Sequence, residues 1–165
     1  MALPNKVLPG FSAALYCQPG ANPTPLTSTT INVYASVSPI AVIGNLVPVE
    51  AIPAFGQDDA VANFGVAGSR QSDKIPVQSA PTSMTCVAAW NPSDSVLLLL
   101  RADAYNGTID RTFVISATDG TNVVCYAFNG RVSQWTIDPA PGAEAKVTFT
   151  IHPRGNLYGW SNSTP

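Results

Sequence analysis

The run "NPSDSVLLLLRADAYN", residues 91 to 106, is the one stretch of this chain that reads as a helix. Its consecutive apolar residues, Val96 to Leu100, advance about 100° each and so cover every side of a helical cylinder. One side has to cover the flank of the helix's own domain. At about 25 cal/mol per Å², leaving the opposite leucines in water forgoes a few kcal/mol and creates an adhesive patch. The boundaries expected from the residue types are 92–104. Asn91 serves as N-cap, Pro92 as the first helical residue, Asp94 lies near the positive helix end, and Asn106-Gly107 is the stop.

The rest of the chain is strand and turn. "FSAALYCQ" (11–18) reads as a first strand, and residues 19–30 as a loop. From Ile31 to Phe55 the chain is β-prone but broken by Pro39, Pro48 and Pro53, which cannot donate to a ladder. "AVIGNLVPVEAIPAF" reads as two short strands joined through Gly44-Asn45. Residues 56–74, "GQDDAVANFGVAGSRQSDK", have no sustained period and hold most of the local charge, so a long loop is expected there. β character resumes over 74–90. After the helix, "RTFVISAT" places Phe113, Ile115 and Ala117 on one face and turns through Asp119-Gly120 into a hairpin. "VVCYAFNGRVSQWTI" is expected to be one long strand with a glycine bulge. It is apolar on both faces and needs a second covering layer. In "KVTFTIHP", Val147, Phe149 and Ile151 alternate with Lys146, Thr148 and Thr150, a core face and a polar one.

This order predicts a mainly β fold, an antiparallel β-sandwich or barrel with one flanking α-helix. At 165 residues the chain suits one domain. The division expected is an N-terminal arm (1–10), a β domain (11–153) and a C-terminal arm (154–165) carrying Tyr158 and Trp160. Only 11% of residues are charged, against a usual figure near a quarter, and a monomer so poor in charge is poorly protected against association. With the all-round apolar helix, that points to an assembly. Val96, Leu98 and Leu99 are the candidate subunit-interface residues. Val96 carries a second assignment, because the side formed by Val96, Leu97 and Leu100 is expected to close the helix's own domain.

Chemistry finds little support. His152 is the single histidine and has no ligand-spaced Cys or carboxylate. No GxSxG, GxGxxG or Walker pattern occurs, and Asp58-Asp59 lacks the oxygen-rich alternation of a calcium loop. No catalytic, cofactor-binding or metal residue is therefore named, and neither enzymatic activity, a cofactor nor a small-molecule substrate is expected. Cys17, Cys86 and Cys125 are odd in number, lie in apolar runs, and read as buried free thiols in preference to a disulfide and a spare. Net charge is −2 with no basic cluster, so tight nucleic-acid binding has no electrostatic footprint. No signal-peptide-length or membrane-length apolar run is found. A protein kept in the cytoplasm, or leaving it only inside something larger, is the expectation.

With the parts in order, the chain resembles the major tail tube proteins of long-tailed bacteriophages, including lambda-like siphophages, and the related type VI secretion tube protein. The resemblance runs from about Phe11 to Pro153 and is carried by "AALYC", "IGNLVPVEAIPAF", "TSMTCVAAW", the helix, "DRTFVISATDG", "YAFNGRVSQW" and "EAKVTFTIHPRG". The longer "QPGANPTPLTSTT" loop and the extra prolines depart from the pattern. The resemblance implies a virion subunit, assembled in the host cytoplasm as homo-hexameric rings stacked into a tube, through which DNA passes without tight binding. Its partners would be further copies of itself, the tape-measure protein, and tail terminator and baseplate proteins. On that reading the long loop reaches the adjacent ring with Asp58, Asp59, Phe64, Arg70, Asp73 and Lys74, and Thr148 and Thr150 line the lumen. Another ring of the same fold, such as a tail completion, baseplate hub or secretion tube subunit, is the alternative. A small β-sandwich carbohydrate-binding module is the further one.

Overall fold

A computed structural model describes residues 12–21, 26, 44–65, 72–118, 122–139 and 143–163. The stretch 31–43, the arm 1–10, the Asp119-Gly120 turn and Arg70 lie outside the described residues. The strands are β1 (Ser12–Cys17), β2 (Asn45–Val47), β3 (Gln57–Gly65), β4 (Ser72–Pro81), β5 (Met84–Ala89), β6 (Asp110–Thr118), β7 (Asn122–Asp138) and β8 (Lys146–Ser163). The helix, α1, spans Ser95–Asn106 between β5 and β6. Six strands form one antiparallel sheet in the order β2-β1-β6-β7-β8-β5, while β3 and β4 form a separate two-stranded sheet. The expected architecture, mainly β and antiparallel with one helix, is observed among the described residues.

The edges of the large sheet are brought together by a few residues. β2 ends where Pro48 follows, and the chain continues to the opposite edge, where Val49 bridges Ala88 and the Glu50 amide donates to the Val87 carbonyl at 2.8 Å. The Glu50 carboxylate meets Lys146 Nζ at 2.6 Å across the same seam. The sheet therefore wraps on itself, and the side it encloses is apolar. Leu15, Phe113, Ile115, Phe128, Val132, Val147, Phe149 and Ile151 are all buried there, and Val96, Leu97 and Leu100 of α1 join them.

Alternation along β8 works as the residue pattern predicts, with Val147, Phe149 and Ile151 fully buried. β6 differs from the expectation of one apolar face, because Arg111 through Ala117 are all buried. It is a central strand covered on both sides. On the outer face Val114, Cys125 and Ala127 cluster with Leu26, and Tyr16, Tyr158 and Trp160 pack around them. The register sets Tyr16, Val114, Ala127 and Tyr158 in one row across four strands. Among the described residues, Leu26 is what covers this second apolar face of β7 from outside the sheet, with the aromatic rings of β1 and β8 flanking it.

β7 is one long strand, as expected, and its register shifts once between Ala127 and Asn129 and again between Ser133 and Thr136. Gly130 lies on the enclosed face, where an added Cβ would stand 2.8 Å from Ile151 Cγ2 and 3.2 Å from the Phe113 ring. The glycine lets β7 pass over a side chain already in place. Residues 154–163, expected as an arm, instead continue β8 and pair along the start of β7, from Arg154↔Asn129 to Ser163↔Asn122. The glycines there mislead a reading by composition, because the ladder to β7 and the packing of Leu157, Tyr158 and Trp160 together hold this part of the strand.

Two further expectations are corrected. The N-cap is Asp94 rather than Asn91. Asp94 Oδ1 accepts from the Val96 and Leu97 amides at 2.8 and 3.1 Å, while Asn91 accepts from the Ser93 amide through its side chain and from the Asp94 amide through its carbonyl. Pro92 thus belongs to a turn, and the carboxylate caps because it also suits the positive helix end. The helix runs on to Asn106, where Gly107 takes the left-handed conformation at φ 66° and returns its amide to the Asp103 carbonyl. The long loop at 56–74 is a β-hairpin. β3 and β4 pair from Gln57↔Pro81 to Gly65↔Ser72, and the shift at Ala60/Val61 leaves Val77 without a partner beside Pro76. That bulge accommodates the proline within the ladder.

Candidate assembly surfaces

Three surfaces follow from how the elements are held. The first is the outer side of α1. Asp103 points inward from the helix and is 2% exposed, and the Arg111 guanidinium on β6 grips its carboxylate as a fork. Arg111 also donates to the Pro19 carbonyl after β1, so one side chain ties helix, central strand and turn. The carboxylate beside it pushes the Arg111 pKa above its ordinary value. With the helix fixed in rotation, Leu98, Arg101, Ala102 and Tyr105 form its exposed stripe at i, i+3, i+4 and i+7. Leu98 is 40% exposed and Tyr105 74%.

Of the interface candidates, Leu98 faces outward and Leu99 is half-buried. Val96 is corrected: it lies in the core beside Leu97 and Leu100 and has no side free for a neighbour. Sequence reasoning missed the Asp103–Arg111 pair, although Asp103 stands three residues after Leu100 on the buried stripe. An acid at such a position is a signal for a partner.

The second surface is the β3–β4 hairpin. Among the described residues, it shares no ladder with the six-stranded sheet. It is tied at its base by the Thr82 amide donating to the Gly56 carbonyl at 3.0 Å, and β4 touches β8. Asp58, Asp59 and Phe64 lie on β3, and Asp73 and Lys74 on β4, with Phe64 opposite Asp73 and Asn63 opposite Lys74. The hairpin thus brings five of the six stacking candidates onto one element. An isolated two-stranded ribbon is marginal in water, so it gains from a further surface to lie against.

The third surface is the outer, polar half of the large sheet. His152 sits between two hydroxyls, Ser133 Oγ at 2.7 Å from Nε2 and Ser83 Oγ at 2.9 Å from Nδ1. Nearby, Asp110 accepts from Arg131 at 2.8 Å and from Arg154 at 2.7 Å. One carboxylate thus holds two guanidiniums, which leaves a single net positive charge there, with Arg154 the more exposed of the two. Thr148 is half-buried on this side. Thr150, the other lumen candidate, is corrected to a buried residue, 5% exposed, whose hydroxyl donates to Gln134 Oε1 at 3.0 Å and lies 3.3 Å from Thr85 Oγ1. Strand alternation gives the face of a side chain but not the depth to which its neighbours cover it.

All three cysteines are free and buried. Burial pushes the Cys17 thiol up to about 12, with the Arg111 cation opposing and Asp103 adding, and burial alone takes Cys86 to about 11. Thiolate chemistry is suppressed at both.

No protein-family model and no curated protein matches the sequence. Solved structures do. A chain of the extended-state sheath/tube terminator of an extracellular contractile injection system, PVC, is similar with a TM-score of 0.66 at 12% identity, covering 96% of this chain and 99% of its own. A chain of the anti-feeding prophage baseplate gives 0.63 at 11% identity, with 97% of each chain covered. The SPP1 tail tube gives 0.54 at 11% identity, covering 92% of this chain and 77% of that one. At these identities the likeness establishes the fold, which is one found in phage tail tubes and contractile injection systems.

Proposed function

We propose that this chain is a structural subunit of a bacteriophage tail tube, forming hexameric rings that stack into the conduit for DNA ejection. The observation that carries the reading is the β3–β4 hairpin, a paired ribbon without a ladder to its own sheet, on a fold that tail tubes share. Residues of the hairpin, Asp58, Asp59, Phe64, Asp73 and Lys74 with Arg70 between the strands, supply the ring-to-ring contact, and Leu98 with Leu99 the contact between subunits. The polar half of the sheet, with Thr148 on it, faces the lumen. Asp110 engages both arginines of that face, which weakens the phosphate contacts that would retain DNA. The role is non-enzymatic and needs no cofactor or small molecule. Its partners are copies of itself, a tape-measure protein, and terminator and baseplate proteins, and its place is the virion after assembly in the host cytoplasm.

A second reading has an observation of its own. The terminator and baseplate chains match this one over nearly their whole lengths and with higher TM-scores than the tail tube, which favours a ring that ends a tube. Negative-stain microscopy of assembled protein separates them. Tubes of many rings support the tail tube, single rings the terminating ring, and particles with no ring at any concentration overturn both.

A further inference from the structure

Among the described residues, the enclosed side of the large sheet is stopped at one end by α1 and is open at the other. At the open end Ile52 and Phe55, from the segment that follows β2, face Ile115, Ala117, Val124 and Tyr126 across a cleft of about 480 Å³. Phe55 meets Tyr126 edge-on, with ring centres 5.3 Å apart, and forms its wall. Among the described residues, no charged side chain lines it. Ala117 and Val124 are register partners one step from the end of β6. The Arg111 grip on α1 lies six residues earlier in the same strand, about 20 Å away.

The outward stripe of α1, Leu98 to Tyr105, carries one charge, Arg101, and exposes Leu98 and Tyr105. The molecule thus has an apolar socket at one end of its sheet and an apolar ridge at the other, a pairing that one copy cannot satisfy within itself. Surfaces of this kind make head-to-tail contacts that repeat. We infer that the cleft receives the outer stripe of α1, centred on Leu98, from a second copy of this chain. The inference rests on the ring-forming reading and names the two surfaces that meet. A second copy is the occupant because the chain itself supplies the complement, and because the cleft opens broadly enough to take a row of side chains.

Exchange of charges tests it. Ala54 lines the cleft and is exposed, as is Leu98, so Leu98→Asp, Ala54→Arg and the double variant should all keep the wild-type circular dichroism. Ala13→Arg, at another exposed lining position, replaces Ala54→Arg if that variant fails to fold. Sedimentation velocity reads the concentration at half-assembly. Each single change is expected to raise it about tenfold or more, since a charge placed in an apolar contact costs at least 1.4 kcal/mol. The double variant, which sets Asp of one copy against Arg of the next, is expected to return to within about threefold of wild type. Singles that assemble like wild type, or a double no better than the worse single, overturn the pairing and leave the ring reading standing. A wild-type chain that never assembles overturns both.

Discussion

Asp103 and Arg111 show how one buried pair sets the orientation of an element. Their side chains are 2% and 6% exposed, and each satisfies the other. Asp103→Ala would leave the guanidinium buried with only the Pro19 carbonyl, and breaking such a pair costs about 3–5 kcal/mol. Urea denaturation is expected to show a loss of that size, with Asp103→Asn milder because it keeps an acceptor. The Glu50–Lys146 pair is about half exposed on both sides and is expected to contribute far less.

Cys17 makes the second prediction at this scale. Its folded pKa, about 12, lies above the ordinary 9.0 because burial disfavours the thiolate. The stabilisation is therefore full below pH 9.0 and is lost as pH rises from there to about 12. Cys17→Ala, followed by denaturant midpoints across that window, is expected to flatten part of the decline. An unchanged slope would show that other groups carry it.

Among elements, α1 was legible because its caps are chemical: an acid before the first turn and a glycine after the last. Its start was misplaced because asparagine, proline and aspartate all suit helix beginnings, and only the hydrogen bonds of Asn91 and Asp94 show which residue caps and which turns. The hairpin was not legible, since backbone pairing over Gln57–Gly65 and Ser72–Pro81 needs no apolar alternation when neither strand belongs to the main sheet. Gln57 and Pro81 are ladder partners, so replacing residues 58–80 with a short Gly/Ser turn closes the chain with little strain. This variant is expected to melt as a folded β domain within a few degrees of wild type and, by microscopy, to form rings that do not stack. Loss of the folded dichroism spectrum would place the hairpin in the fold and not in the assembly.

For the molecule as a whole, strand content and one-sided alternation, as in Val147, Phe149 and Ile151, could be read directly from residue types. The closure of the sheet could not. It depends on Val49 and Glu50 reaching an edge strand far along the chain, and local pattern carries no record of such distant pairings. The exposed side of α1 was half legible: an all-round apolar run leaves some leucine facing outward, but the rotation fixed by Asp103 decides that it is Leu98 and not Val96.

The central claim is that the wild-type chain associates with itself in rings. Light scattering coupled to size exclusion, run over a hundredfold range of concentration, measures this most directly. The account predicts species at and above six copies of the 17.2 kDa chain that grow with concentration; a single peak at the mass of one chain throughout would contradict it.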